Sequence, residues 1–246
     1  MTTPRHGTAD WGLSAGTVTT YQLTDLAELA ARLGSPVTYD RRGEVLFIDD
    51  FSHGVSKWGL GGGGSDESLT LSTLICRSGQ FSALLTPASD TLFQLIAQHA
   101  VPTLAPSALG LECHLAASLD VLSFEWRLHI ADGATQHRFA VRYNNATNEL
   151  QYLDDSAAWV AFAAPGNVFE DPSVFHSSKL VVNAELDAYD RFLLDDTAYP
   201  LSGFTHYEVP DTATPIIYIV LKAEDLTAAQ NPAYLDDVIL TQNEPV

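Results

Sequence analysis

Positive charge is scarce in this chain. Twelve lysines and arginines stand against 31 aspartates and glutamates in 246 residues, a formal net charge of −19. A surface of that sign repels a phosphate backbone unless cations cluster locally, and the only basic doublet is Arg41-Arg42. Nucleic acid is therefore not an expected partner. Long apolar runs are also missing: no stretch reaches the ~18 residues that a bilayer-spanning helix needs. The first residues lack the charged-then-apolar pattern of a secretory signal, so neither membrane insertion nor export by such a signal is expected.

Cysteine is nearly absent. Cys76 and Cys113 have no metal-ligand spacing and lie in apolar, strand-like runs, so they read as buried free thiols, with one disulfide between them as the other reading. The eight histidines match no H-E-x-x-H or H-x-H pattern and no Ser-His-Asp arrangement. The run Gly61-Gly62-Gly63-Gly64 lacks the Lys-Ser/Thr and the following helix of a phosphate-binding loop, and reads as a surface loop. No catalytic signature emerges.

What is present is enough for one sizeable core: 46% hydrophobic and 10% aromatic residues. Residues 1–43 stand apart from the rest. The stretch 1–23 has no period and reads as an extended arm. A short helix is expected over 24–34, with Thr24 as N-cap, Leu26, Leu29, Ala30 and Leu33 on one face, and Gly34 and Pro36 as the stop. Its leucine stripe needs a surface to cover, either on its own domain or on a neighbouring subunit.

From residue 44 the period changes to two. In 109–115, Leu109, Leu111, Cys113 and Leu115 point one way. In 122–130, Leu122, Phe124, Trp126, Leu128 and Ile130 oppose Ser123, Glu125, Arg127 and His129. Such strands predict one wet face each. Residues 138–143 and 149–153 flank Asn144-Asn145-Ala146-Thr147-Asn148 and predict a β-hairpin. Further strands are expected at 157–162, 179–186, 191–195, 216–222 and 235–241. Ten to thirteen strands without βαβ alternation indicate an all-β, antiparallel two-sheet sandwich over 44–246.

These strands also resemble a known group. The stretch VLFIDDFSHGVSKW (45–58) resembles the opening strand of jelly-roll carbohydrate-binding modules, RSGQFSALL (77–85) their second strand and YLDDVIL (234–240) their last. The hairpin around Asn144 and residues 176–203 are similar to the concanavalin A-like (laminin G-like) lectins. The resemblance spans about 45–241 and implies a jelly-roll β-sandwich, a fold that carries binding, catalytic and structural proteins alike.

The resemblance also nominates sites. It implies a structural calcium where the first and last strands meet, with Asp50 and Asp237 as ligands; strand-end aspartates also simply cap turns. Glu185, Asp187 and Asp190 resemble the E-x-D-x-x-E motif of laminarinase-like glycoside hydrolases, with Asp190 where the motif has Glu; the same residues also read as an ordinary hairpin. Sugar binding needs an exposed aromatic, for which Trp11 and Trp159 are candidates, while Trp58 and Trp126 read as structural.

The leading expectation is a non-catalytic structural protein, a homo-oligomer docked in a larger assembly such as a virion through Leu26, Leu29 and Leu33. A carbohydrate-binding module is the alternative and a glycoside hydrolase the second alternative.

Overall fold

The computed structural model describes residues 42–61, 66–89, 94–102, 107–118, 120–225 and 230–245. Among them are sixteen strands and no helix, so no helix there is long and apolar enough to cross a membrane. The first sheet runs β13 (Thr197–Pro200), β12 (Ala188–Leu194), β11 (His176–Asn183), β6 (Ala108–Ala117), β16 (Ala233–Gln242), β4 (Ser82–Thr86) and β3 (Ser68–Ser72), with β1 (Glu44–Asp49) also on β16. The second runs β10 (Trp159–Ala163), β9 (Glu149–Leu153), β8 (Thr135–Asn144), β7 (Val121–Ala131), β15 (Ile216–Asp225), β5 (Gln94–Pro102) and β2 (Gly59–Gly61), with β14 (Tyr207–Pro210) on β8.

The period-2 pattern places the core where it was expected. Phe124, Trp126 and Leu128 of β7, Phe139, Val141 and Tyr143 of β8, and Ile219 and Leu221 of β15 are buried against Leu111, Cys113 and Leu115 of β6 and Leu180 and Val182 of β11. Each large apolar side chain so buried stabilises the sandwich by roughly 1.5–3 kcal/mol. Trp126 sits at the centre, with its ring 5.1 Å from both Phe124 and Phe192 and its Nε1 donating to Cys113 Sγ at 3.1 Å. Trp58 is likewise structural, its indole N–H donating to the buried Asp49 carboxylate at 2.9 Å. The predicted hairpin joins β8 to β9, and Asn148 takes the left-handed conformation, at φ 55°, that asparagine tolerates.

Several expectations are corrected. The strands number sixteen rather than ten to thirteen, because β2, β13 and β14 are three or four residues long, too short to show a period. Gly61 is the last residue of β2, while Gly62, Gly63 and Gly64 lie outside the described residues. Cys76 is exposed and Cys113 buried; both are free, and burial pushes the Cys113 thiol up to about 12.

The wet face expected for 122–130 is wet only in part, because Ser123 and Glu125 are buried, and the one expected for 109–115 is not wet, because Glu112 and His114 are both fully buried. On that side the C-terminal segment folds back over the sheet, where Lys179 and Glu244 form a fully buried ion pair at 2.8 Å. Gly110 makes the close approach possible: a Cβ there would lie 2.6 Å from Thr241 Oγ1 and 2.7 Å from Glu244 Oε1. The arm, the helix at 24–34 and Leu26, Leu29 and Leu33 lie outside the described residues.

A second polar tie joins the two sheets. Tyr189 of β12 reaches across the core, where its hydroxyl receives the Ala140 N–H at 2.8 Å and lies 3.0 Å from the carbonyl oxygens of Ala140 and Leu153. Tyr189→Phe leaves those buried backbone groups unpaired and is expected to cost about 1–3 kcal/mol of stability. Urea denaturation measures it, and an unchanged midpoint would show that the tie carries no weight.

Candidate functional site

The strands that bury Trp126 on one side must present their alternate residues on the other. Across β9, β8, β7 and β15 the register aligns Gln151, Arg142, Glu125 and Lys222 in one row. Arg138, His129 and Tyr218 form another, with Tyr207 of β14 paired to Arg138. Arg127 lies between the rows, and Trp159 of β10 lies beneath two guanidinium groups, 4.4 Å from Arg142 and 5.9 Å from Arg127. Thus four of the chain's twelve cations share one sheet face.

Their charges are not equally compensated. Glu125, almost fully buried, pairs with Arg127 through one oxygen and with Lys222 through the other at 3.2 Å; Lys222 also reaches Glu224 at 3.3 Å. Arg138 and Arg142 form no ion pair among the described residues. Each gives its Nε–H to a glutamine, Arg138 to Gln136 at 2.6 Å and Arg142 to Gln151 at 2.7 Å. Each also lies over an aromatic ring, Tyr207 and Trp159 respectively. The remaining guanidinium N–H groups make no hydrogen bond among the described residues. Four residues apart on one strand, the two arginines are separated by roughly 13 Å along the backbone.

Beside Arg138, as its register partner on β7, sits His129. Burial, with repulsion from Arg127 and Arg138, pushes its imidazole down to about 3, so the ring is neutral. Its Nε2 is buried and has no hydrogen-bond partner. A buried polar atom of this kind usually marks a position that water or ligand completes.

A second cluster lies at the end of the sandwich on the core-facing side of β8. His137, His206 and Glu208 bring one ring nitrogen or carboxylate oxygen each to within 4.8 Å of one another, the donor set of a metal site. Nothing local in the sequence announced it, since His137 and His206 are 69 residues apart.

The residues nominated from sequence are placed as follows. Trp159 is on the outer face described above, while Trp11 lies outside the described residues. Glu185 and Asp187 are in the turn between β11 and β12; Asp187 lies 3.5 Å from His137 Nδ1. Asp190 is the extra residue of a bulge in β12 and pairs with Arg191. The three carboxylates therefore have separate surroundings.

Asp50 caps its own turn, accepting the Ser52 N–H at 3.1 Å and the Ser52 hydroxyl at 2.7 Å. Asp237 is buried and accepts from Arg77 at 3.0 Å and the Ser78 hydroxyl at 2.6 Å. The arginines at 127, 138 and 142 went unnominated, although the alternation in 122–130 and 138–143 already set each of them opposite a core residue.

Beside Asp237, the Asp236 carboxylate accepts the Arg77 and Ser78 backbone N–H groups at 2.7 and 3.1 Å. Burial, reinforced by the Asp237 charge, pushes its carboxyl up to about 6. The folded state then holds this proton more tightly than the unfolded chain, whose aspartates titrate near ~3.9. Its contribution to stability is full below that value and is lost as pH rises through about 6. Asp236→Asn is expected to remove that component of the fall in thermal midpoint, read by melting both proteins between pH ~4 and ~7.

No family model matches the chain, and no curated protein matches it. Solved structures do. An endo-β-1,4-glucuronan lyase from the fungus Trichoderma reesei superposes with a TM-score of 0.54 at 13% identity, over 80% of this chain and 95% of that one. A sialidase gives 0.51 at 12% identity over 82% of this chain, which spans 19% of the sialidase. A conserved carbohydrate esterase from the Shiga toxin-encoding bacteriophage phi24B gives 0.50 at 13% identity, over 82% of this chain and 100% of that one. At these identities the likeness is one of fold, and the described chain has the jelly-roll β-sandwich fold that the motifs between residues 45 and 241 led us to expect.

Proposed function

We propose that this protein is a carbohydrate-binding module whose outer β7 face takes an acidic polysaccharide, one that carries uronate carboxylates. The observation that supports it most is the pair Arg138 and Arg142, neither of which makes a direct ion pair with a described carboxylate in a chain of net charge −19, although Glu125 and Glu224 act on Arg142 through space. A guanidinium fork matches a carboxylate in shape and charge, and the rings of Tyr207 and Trp159 lie 5.8 and 4.4 Å from the Arg138 and Arg142 guanidinium carbons. Gln136 and Gln151 add side-chain amides for sugar hydroxyls. The spacing of the arginines suits several sugars in a row better than one.

The neighbours agree in kind. Two carry carbohydrate chemistry in their names, and one of these acts on a polyuronate. They favour glycan binding over the purely structural role that the sequence put first. Binding rather than turnover is the reading adopted, because His129, the only imidazole in the Arg138 row, is a weak base with its free nitrogen buried. Docking in an assembly through Leu26, Leu29 and Leu33 rests on the leucine pattern alone, and oligomer size with and without residues 1–36 tests it.

Titration calorimetry with polyglucuronate, polygalacturonate and alginate, against neutral xylan and β-glucan, decides the main proposal. Binding is expected for the acidic polymers, weakening with salt. Arg142→Ala and Arg138→Ala are each expected to weaken it about 10- to 100-fold, the value of a charged hydrogen bond. Equal affinity for neutral glycans, or indifference to both substitutions, would overturn it. No unsaturated product should accumulate. Repeating the titration in EDTA shows whether calcium at Asp50 and Asp237 takes part.

A further inference from the structure

The cluster at the end of the sandwich is built differently from the arginine face and faces the opposite side of the sheet. His137 lies on β8, and Glu208 is its register partner on β14. His206 precedes that strand and stacks on the core ring of Phe139 at 4.4 Å. Both imidazoles are largely buried, with side chains 12% and 8% exposed, whereas Glu208 and Asp187 are half-exposed at 52% each. Two rings are thus held fixed by the sandwich, with carboxylates at the solvent edge.

The distances are those of a coordination site. His137 Nδ1 and His206 Nε2 are 3.1 Å apart, His206 Nε2 and Glu208 Oε1 are 3.1 Å apart, and His137 Nδ1 and Glu208 Oε1 are 3.5 Å apart. Ligands ~2.0–2.1 Å from a tetrahedral ion lie ~3.3–3.4 Å from one another.

Protons alone serve this triangle poorly. A neutral imidazole offers one N–H and one lone pair, so a single proton on either facing nitrogen leaves one nitrogen or carboxylate lone pair opposed to another. A cation at the centre satisfies all three atoms. Asp132 Oδ2 lies 3.8 Å from the other nitrogen of His137. A carboxylate there favours the proton on Nε2 and turns the Nδ1 lone pair toward the triangle. Asp187 Oδ1, 3.5 Å from the same Nδ1, supplies a second carboxylate from the other sheet.

We propose that His137 Nδ1, His206 Nε2 and Glu208 Oε1 bind a divalent transition-metal ion of the Zn²⁺ class, with Asp187 turning in as the fourth ligand. Two imidazoles and two carboxylates suit zinc, while calcium takes six to eight oxygens. Bound there, the ion clips the β11–β12 turn of the first sheet to β8 and β14 of the second. It closes the end of the sandwich with a crosslink that the apolar core does not supply.

The test uses the full chain, purified without a histidine tag, stripped of metal and titrated with zinc chloride and separately with calcium chloride. One Zn²⁺ per chain is expected, with a rise in thermal midpoint, and no comparable response to calcium. Glu208→Gln changes a half-exposed side chain, so the fold should persist, and it is expected to weaken zinc binding at least 10-fold and abolish the midpoint shift. His137→Gln should do the same, and Asp187→Asn should weaken binding about 10-fold. Absence of stoichiometric zinc binding, preference for calcium, or unchanged affinity in a folded Glu208→Gln protein would each overturn the proposal.

Discussion

The register that locks β15, β7 and β8 together is the constraint on which the rest of the molecule depends. Residues Ile216–Glu224 of β15 pair without interruption against β7, and β7 pairs in step with β8 from Ser123 to Ala131. Side chains alternate with period two, so a slip of one residue would carry Glu125, Arg127 and His129 into the core and bring Trp126 and Leu128 out of it. The large apolar volume of Trp126, Phe139 and Ile219 forbids that. The cationic outer face is therefore a consequence of core packing: burying one set of side chains obliges the other set to share a surface.

The first sheet meets a different demand. Its central strand β16 changes partner midway, pairing with β4 at Ala233–Leu235 and with β1 from Val238 to Gln242. At the changeover β16 bulges, and Asp237 adopts φ 49°. Asp236 and Asp237 fill the break with carboxylates that accept the backbone and side-chain donors of Arg77 and Ser78. The acidic doublet thus works as a joint between three strands. The same sheet buries Lys179 against Glu244, an arrangement that tolerates loss of neither partner, since an unpaired charge in that setting is far more costly than the pair.

The two proposed sites use opposite faces of β8. Arg138 and Arg142, both partly buried, lie on the outer face for which a polymeric anion is proposed, while His137 points inward to the seam between the sheets. Alternation along a single strand separates them, so ligand binding on one side and closure of the sandwich end on the other are structurally independent. Asp187 belongs with the second. Its turn resembled part of a hydrolase motif, yet the fold brings it to the His137 imidazole.

Much of this was legible in the chain itself. Period-two patterns over 109–115, 122–130 and 138–143, and the asparagine-rich turn at 144–148, determined the strands, the core face and the hairpin, because alternation and turn chemistry are local properties. The motifs at 45–58, 77–85 and 234–240 carried the jelly-roll fold. Tertiary structure alone decided the rest. Whether the Lys179 ammonium lies in water depends on Glu244 of the C-terminal segment, remote from it in sequence. Which cations form ion pairs and which give their N–H groups to glutamine depends on cross-strand neighbours from β15 and β9. The union of His137, Asp187, His206 and Glu208 depends on two sheets meeting at one end, a distance in space that no spacing in the sequence encodes.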